Sequence, residues 1–563
     1  MLGEPEPSVL ARDLDAEGAQ PAQAVDDVRR HLARAVDLVA VHLLAQEPLE
    51  GLEERPGPRL VLGVGLRIGM DQVETELPVE QVTDEALGAP LGLAGGFGHL
   101  ARFAGADPFR FRHLLPRHDS TRLRDRIPRG SMLLKGARLA TFDPPRLDEA
   151  DLRIEGERIA ERGRPLAPRD GEEVLELEGA VVIPGLVNAH THLYSALARG
   201  MPGPAAAPRN FVEILERVWW KLDRALDADS VRLSGLVGAI EAARSGTTLL
   251  IDHHSSPSFI RGSLGELQRA VEEVGLRAAL CYEVTDRNGR EGRDLGVEEN
   301  VTFARERASA LTRGVIGAHA SFTLGDESLD LLARAVSDTG SSLHIHVAED
   351  RADGDDARAR YGCSVIDRLD RRGLLASRAL LAHCVHLDPD QVQLAHAKGC
   401  WIAHNPRSNM NNSVGHAPTV NLRRAALGTD GMDEDMFAEM RAAYLKMRDA
   451  GRDDAVAATV QMVAGGHRLA AALFGLPFGK LDAGAPADLV VLDYRPPTEL
   501  HGDNLAGHLL FGVDRSHVRS VLVAGRWVLR DRRVTSVDEA KAFAAARSAA
   551  RDVWSRMASL GTA

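Results

Sequence analysis

The stretch Pro184-Gly185-Leu186-Val187-Asn188-Ala189-His190-Thr191-His192 decides how this chain is read: an apolar run that ends in two histidines two positions apart. On a strand, alternate side chains share a face, so both rings point the same way. The pattern returns downstream. His346 closes an apolar run in His-Val-Ala-Glu, His383 does so in Ala-His-Cys-Val-His, and Asp430 in Gly-Thr-Asp-Gly. Eight such runs are countable: Ala180 to Pro184, Thr248 to Asp252, Arg277 to Val284, Val315 to His319, Ser342 to Val347, Ala379 to His383, Cys400 to His404 and Ala425 to Asp430. Between them, Ala225 to Ala243 and Leu329 to Val336 space their apolar residues by three and four, as amphipathic helices do. Short strands that are apolar throughout and alternate with helices predict a parallel sheet covered on both faces. Eight units predict an α/β fold of the closed (β/α)8 TIM barrel type.

In such a barrel the chemistry gathers beyond the C-terminal ends of the strands. His192, Asp252, Thr285, His319, His346 with Glu349, His383, Asn405 and Asp430 all fall there. Imidazoles with one carboxylate suit zinc or a similar divalent ion, and a small protein ligand set leaves a position for an activated water. His190, His192, His346 and Asp430 are the expected ligands. His253, His254, His386 and His404 are read as packing residues. Asn405 and Asn409 either brace the loop after the seventh strand or touch substrate.

Longer stretches carry a closer likeness: Trp219-Trp220-Lys221-Leu222-Asp223-Arg224, Ile251-Asp252-His253-His254-Ser255-Ser256-Pro257, Thr285-Asp286-Arg287-Asn288, Gly296-Val297-Glu298-Glu299-Asn300 and Asn409-Met410-Asn411-Asn412. Over residues 132 to 560 the chain resembles the amidohydrolase superfamily, and within it the SsnA-type aminohydrolases of the triazine hydrolase and S-adenosylhomocysteine deaminase branch. The resemblance implies a small β-sandwich flanking the barrel, pairing of subunits into a homo-oligomer such as a dimer, and one or two metal ions. Two-metal forms generally use a bridging group, often a carboxylated lysine. Here the only lysine between His192 and His346 is Lys221, in a helix-like segment. One divalent ion per chain is therefore expected, zinc before iron or manganese.

The expected chemistry is replacement of an exocyclic amine on a purine-, pterin- or pyrimidine-like ring by oxygen. Glu349 would pass a proton to a ring nitrogen, Asp430 would take the proton of the water, and His383 would orient that water. His319, by resemblance to deaminases with Pro-His-Ala-Pro at that place, would bind the substrate. The same site also admits cyclic amide hydrolysis or hydrolytic dehalogenation, and a non-catalytic partner of another enzyme is the reading from a different class. After Asp430 the chain continues Met432-Asp433-Glu434-Asp435, whose carboxylates read as caps of the next helix. Trp219 and Trp220 read as core or subunit contact, with a lid over the site as the alternative.

Composition fits a soluble intracellular enzyme with a small-molecule substrate: 563 residues, 44% hydrophobic, net charge -13. The acidic balance argues against nucleic acid as a partner. No basic-then-apolar leader opens the chain and no run is long enough to span a membrane, so a cytoplasmic location is expected. Cys281, Cys363, Cys384 and Cys400 form no C-x-x-C pair and read as reduced thiols. The expected domains are 132 to 182 and 479 to 535 for the two parts of the sandwich, 183 to 478 for the barrel, and a C-terminal helix over 536 to 563. Residues 1 to 131 lack Lys, Cys, Trp and Tyr. They read as an appended domain or an extension without native structure, with a helix over Asp26 to Leu44 and a linker over Arg110 to Arg129.

Overall fold

A computed structural model describes residues 131–375 and 379–561; the expectations placed on residues 1–130 lie outside the described residues. Five strands come first: β1 Met132–Phe142, β2 Pro145–Glu155, β3 Arg158–Gly163, β4 Glu173–Glu176 and β5 Val181–Pro184. The chain then turns at Gly185 into β6, Leu186–Thr191. This corrects the first of the eight runs. β5 pairs with β1 and not with the barrel, and the first barrel strand is β6. Hydropathy does not separate the two because both are wholly buried; Pro184 and Gly185 mark the break.

The barrel continues with β7 Thr247–Asp252, β8 Arg277–Leu280, β9 Thr312–Gly314, β10 Ile316–Ala320, β11 Leu343–Val347, β12 Leu380–His383, β13 Trp401–His404 and β14 Ala425–Leu427. All neighbours pair in parallel, in one arc from β6 to β9 and another from β10 to β14. β9 and β10 are successive pieces of one strand, interrupted at Val315. Bridges Val284↔Ala318 and Thr191↔Asp430 join the arcs at both ends and close the ring.

Alternation along each strand divides the apolar residues between two clusters. Leu250, Leu280, Ile345 and Leu381 pack with helical Leu267, Leu329 and Leu332. Their neighbours Ile251, Cys281, Leu380 and Ala382 belong to a separate cluster, the opposite parity, which fills the inside of the barrel. The helix Asp326–Thr339 shows how the outer layer forms. Leu329, Leu332, Ala335 and Val336 make its buried stripe, two acids open its first turn, and Gly340 at φ 64 ends it.

After the barrel come β15 Leu489–Leu492, β16 Val518–Val523, β17 Arg526–Arg530 and β18 Arg533–Val534. With β1 to β5 they form one nine-stranded sheet, ordered β18-β17-β16-β15-β5-β1-β2-β3 with β4 alongside β1. The two parts of the sandwich are thus one sheet joined where β5 pairs antiparallel with β15. The sheet curls back on itself. Its edge strand β3 reaches the segment before β15 through the Ile159 N–H, which donates to Ala485 O at 2.9 Å. Leu139, Leu152 and Ile154 then pack against Leu489, Val491 and Leu522. The closing helix Glu539–Ser559 is capped by Asp538 and ties to the barrel side through the Trp554 indole N–H, which donates to Leu197 O at 3.0 Å. Among the described residues no helix is long and apolar enough to cross a membrane.

A buried ion pair fastens the sheet to the barrel. Arg277 of β8 is 1% exposed and Asp488, just before β15, is 4% exposed. Their contacts are bidentate, Nε to Oδ2 at 2.7 Å and Nη2 to Oδ1 at 3.2 Å, and the Ala524 N–H also donates to Asp488 Oδ1 at 2.9 Å. Removing one member strands the other charge in the interior. Asp488→Ala is expected to lower unfolding stability by about 3–5 kcal/mol in denaturant titration; a loss under about 1 kcal/mol would refute the strut.

Candidate active site

Three histidines are locked in one tautomer by what touches Nδ1. His192 Nδ1 lies 2.5 Å from His253 O and His346 Nδ1 lies 2.9 Å from His319 O. Carbonyls only accept, so both rings carry their proton on Nδ1 and present an Nε2 lone pair. His190 Nδ1 faces His344 Nε2 at 2.9 Å. The three Nε2 atoms converge on Asp430: Oδ1 is 3.3 Å from His190 Nε2 and 2.9 Å from His192 Nε2, while His346 Nε2 is 3.2 Å from His192 Nε2. His190 Nε2 is buried with no hydrogen-bond partner. Such a set of fixed donors around one carboxylate fits a divalent cation, and the four residues can share one ion. Burial drives His190 down to about 3. Burial acts the same way on His192, but Asp430 overrides it and raises the ring to about 9.

On the far side of this cluster His383 Nδ1 donates to Asn409 Oδ1 at 2.9 Å, which turns the Nε2 lone pair toward Glu349 Oε2 at 3.4 Å and Asp430 Oδ2 at 3.9 Å. Asn409 is therefore a bracing residue, and Asn405 packs over the same ring with Nδ2 at 3.4 Å. Glu349 takes one hydrogen bond, from Asn412 Nδ2 at 3.2 Å. Burial outweighs the pull of His383 and raises its pKa to about 7. Ser408 donates to Asp430 Oδ2. Backbone strain gathers here as well: Ala348, His383 and Asp430 hold φ of 47, 71 and 56, values non-glycine residues adopt rarely.

A polar network beneath the ligands went unread in the sequence. Asn188 Nδ2 donates to Glu434 Oε2 and to Thr429 Oγ1, both at 2.7 Å, and Thr191 Oγ1 donates to Glu434 Oε1 at 2.8 Å. Glu434 thus braces β6, whereas Asp433 pairs with Arg407 and Asp435 alone caps the next helix. Gly428 is required beside this network, since a Cβ there would lie 2.8 Å from His190 N and 2.4 Å from Asn405 Oδ1.

Above the cluster opens a pocket of about 820 Å³, its mouth included. Phe211, Leu215, Trp219 and Trp220 form one wall, so the two tryptophans are pocket residues and not merely core. The polar lining includes His319, Glu349, Asp430, Ser408, Asn412 and Glu283. Of the site residues expected from the sequence, His192, His319, His346, Glu349 and Asp430 line this pocket, whereas His190 and His383 join the cluster without lining it. Lys221 lies on the helix Trp220–Arg224 and does not line the pocket. Sequence alone gave no sign of Glu283 or His344, because each reads as part of a strand.

The fold and the site together define a barrel hydrolase whose strand ends bring together a His and Asp cluster that can hold a metal ion. The chain belongs to the amidohydrolase family, whose model matches residues 181–528. It is 33% identical over 399 residues to a 5-methylthioadenosine/S-adenosylhomocysteine deaminase of Desulforudis audaxviator, covering 68% of this chain and 89% of that protein. It is 30% identical over 442 residues to a 5'-deoxyadenosine deaminase of Methanosarcina mazei, covering 76% and 99%. Among solved structures, an adenosine deaminase from Xanthomonas campestris with bound zinc shares the fold at TM-score 0.66 and 23% identity, covering 77% and 99%. An atrazine chlorohydrolase from Arthrobacter aurescens complexed with zinc does so at 0.64 and 21%, covering 74% and 100%.

Metal binding and folding should be linked. Chelator-stripped protein is expected to regain thermal stability when zinc is added, by about 2.7 kcal/mol at a hundredfold excess over the dissociation constant. His346→Ala should abolish the shift. An equal shift in the variant would remove His346 from the ligand set.

Proposed function

We propose that this protein is a metal-dependent aminohydrolase that replaces an exocyclic amine of a nitrogen heterocycle with oxygen, using one zinc ion held by His190, His192, His346 and Asp430. The observation that carries the reading is that Glu349 Oε2 and Asp430 Oδ2 meet at His383 Nε2, 3.4 and 3.9 Å from it, with the Glu349 carboxyl raised to about 7 and Asp430 held well below its usual range. Burial raises the first, while in Asp430 the His190 and His192 contacts override burial. Two carboxyl groups pushed apart in this way form an acid and base pair. The relatives named as deaminases of adenosine derivatives support the reaction class.

A zinc ion bound there supplies Lewis acidity and makes a water nucleophilic near neutral pH. Glu349 delivers its proton to a ring nitrogen of the substrate, which draws electrons from the carbon that bears the amine. Asp430 Oδ2, turned away from the ligand rings, takes one proton of the attacking water and passes it to the departing amine, so ammonia leaves; the remaining hydroxyl proton returns to Glu349, and a ring carbonyl beside a ring N–H remains. His383 holds the water through its Nε2 lone pair side, and His319 meets the ring edge. The aromatic wall of Phe211, Trp219 and Trp220 supplies a face for a planar heterocycle.

The test is ammonia release from aminated purines, pterins and pyrimidines by the zinc-loaded protein. Glu349→Gln is expected to lower kcat by 10²–10⁴. The sign of the pH dependence follows from the acid role. Glu349 works protonated, so kcat should fall as pH rises through about 7, and that limb should vanish in Glu349→Gln. Ring opening or halide release without ammonia would overturn the proposal.

A further inference from the structure

Glu283 is a buried carboxylate that no step above uses. It stands past the end of β8, is 3% exposed and lines the same pocket as Glu349. Among the described residues two side chains reach it: His253 Nδ1 at 3.3 Å from Oε2 and Arg287 Nη2 at 3.4 Å from Oε1. That guanidinium also pairs with Asp223 Oδ2 at 3.2 Å and stacks 4.4 Å from the Trp220 ring centre. An ionised carboxylate has about four lone-pair sites, so each oxygen keeps capacity for a further donor.

The histidine that shares the pocket with it is an acceptor too. Thr323 Oγ1 lies 2.7 Å from His319 Nδ1 and 3.1 Å from Ala320 O. Both contacts are satisfied when the hydroxyl donates to Ala320 O and accepts from Nδ1–H, which leaves a lone pair on His319 Nε2. That atom is 3.7 Å from Glu283 Oε1. On the pocket side, Glu283 Oε1 and His319 Nε2 thus stand next to each other as acceptors, and a buried edge of this kind is costly until a ligand supplies a donor between them. A second cation fits less well. Glu283 can share an ion only with His192 and His253 or with His319 and His346, and His192 and His346 already turn Nε2 to the main cluster.

The edge is close to the reaction centre, because Glu283, His319 and His346 offer ligand atoms within 4.8 Å of one another. What it binds is therefore on the ring, beside the reacting carbon, and not on a distant substituent. Glu349, past the end of β11, handles a ring nitrogen that accepts a proton. On the other flank Glu283 and His319 call for a ring N–H that donates. An amine-bearing carbon with an imine-type nitrogen on one side and an N–H on the other is the amino-lactam pattern of guanine, isocytosine and pterin. In adenine the corresponding carbon has a ring nitrogen on one side and a carbon without hydrogen on the other. No Lys or Arg lines the pocket, so nothing there would neutralise a phosphate.

We propose that Glu283 and His319 Nε2 form an acceptor edge that selects an amino-lactam heterocycle as substrate, in unphosphorylated form. This rests on the aminohydrolase reading. Glu283 stays ionised throughout: water adds, ammonia leaves, and the lactam N–H keeps its proton. The experiment measures kcat/KM for ammonia release from guanine, isocytosine and pterin against adenosine and 5'-deoxyadenosine, on zinc-loaded wild type and Glu283→Gln. Zinc content and melting temperature are read on both, and binding of the same compounds is read as thermal shift on Glu349→Gln. The expected result is an amino-lactam preference of at least tenfold in turnover, or in binding if turnover is absent. Glu283→Gln should erase the preference mainly through KM, with zinc and melting temperature retained. Preference for adenosine in both readouts, unchanged in Glu283→Gln, overturns the selectivity while leaving the aminohydrolase reading intact. Ammonia from none of the compounds, with amino-lactam binding intact, overturns the aminohydrolase reading and keeps the edge. Loss of a second zinc equivalent in Glu283→Gln would make the edge an ion site and overturn its role in selection.

Discussion

The site depends on which nitrogen of each imidazole carries the proton. His192 and His346 give Nδ1–H to main-chain carbonyls of His253 and His319, and those carbonyls belong to neighbouring strand ends. Barrel closure therefore fixes the tautomers, and the tautomers fix where lone pairs point. His190 extends the rule inward. Its Nε2 faces Asp430, so Nδ1–H donates to His344 Nε2, and His344 must carry its own proton on Nδ1, toward Cys281 Sγ at 3.7 Å. The thiol in turn donates to Asp252 O at 3.3 Å. One run of protons leads from the apolar inside of the barrel to the ligand cluster.

Burial does opposite things to acids and bases here, and the site uses both. It keeps His190 neutral and available as a ligand, and it keeps Glu349 protonated until about pH 7. It also raises Glu434 to about 8, against the hydrogen bonds of Thr191 and Asn188. A neutral Glu434 can brace the backbone around the ligands without adding a second negative charge beneath Asp430. The carboxylate count near the cluster therefore overstates its negative charge at neutral pH.

The barrel was legible because short, wholly apolar runs and helix spacing are local signals, and every residue of the His and Asp cluster closes such a run. His190, His192, His346 and Asp430 come from two strand ends, β6 and β11, and the last bridge of the ring, and each of the three places carries its own short motif. The boundary at Pro184 was less legible, since β5 and β6 are equally apolar and only pairing partners distinguish them. The single curled sheet was hidden for the same reason: β5 and β15 lie about three hundred residues apart and meet only in space. Glu434 looked like a helix cap from its acidic neighbours, but the Asn188 amide and the Thr191 hydroxyl, distant in sequence, draw it inward.

Trp219 and Trp220 show the limit of arguing from spacing. Aromatic residues at helical intervals satisfy a core and a pocket wall equally well, because both ask for one apolar face. What separates them is the partner. Trp220 lies under the Arg287 guanidinium and 6.1 Å from the His319 ring centre, so it joins the helix before the second barrel strand to the acceptor edge after the third and fourth. A stacked arginine cannot easily swing toward a ligand, and its charge is already divided between Asp223 and Glu283. The pocket thus has a positive group close by that braces its wall and is not presented to what enters, which leaves recognition to acceptors, an aromatic face and the metal cluster.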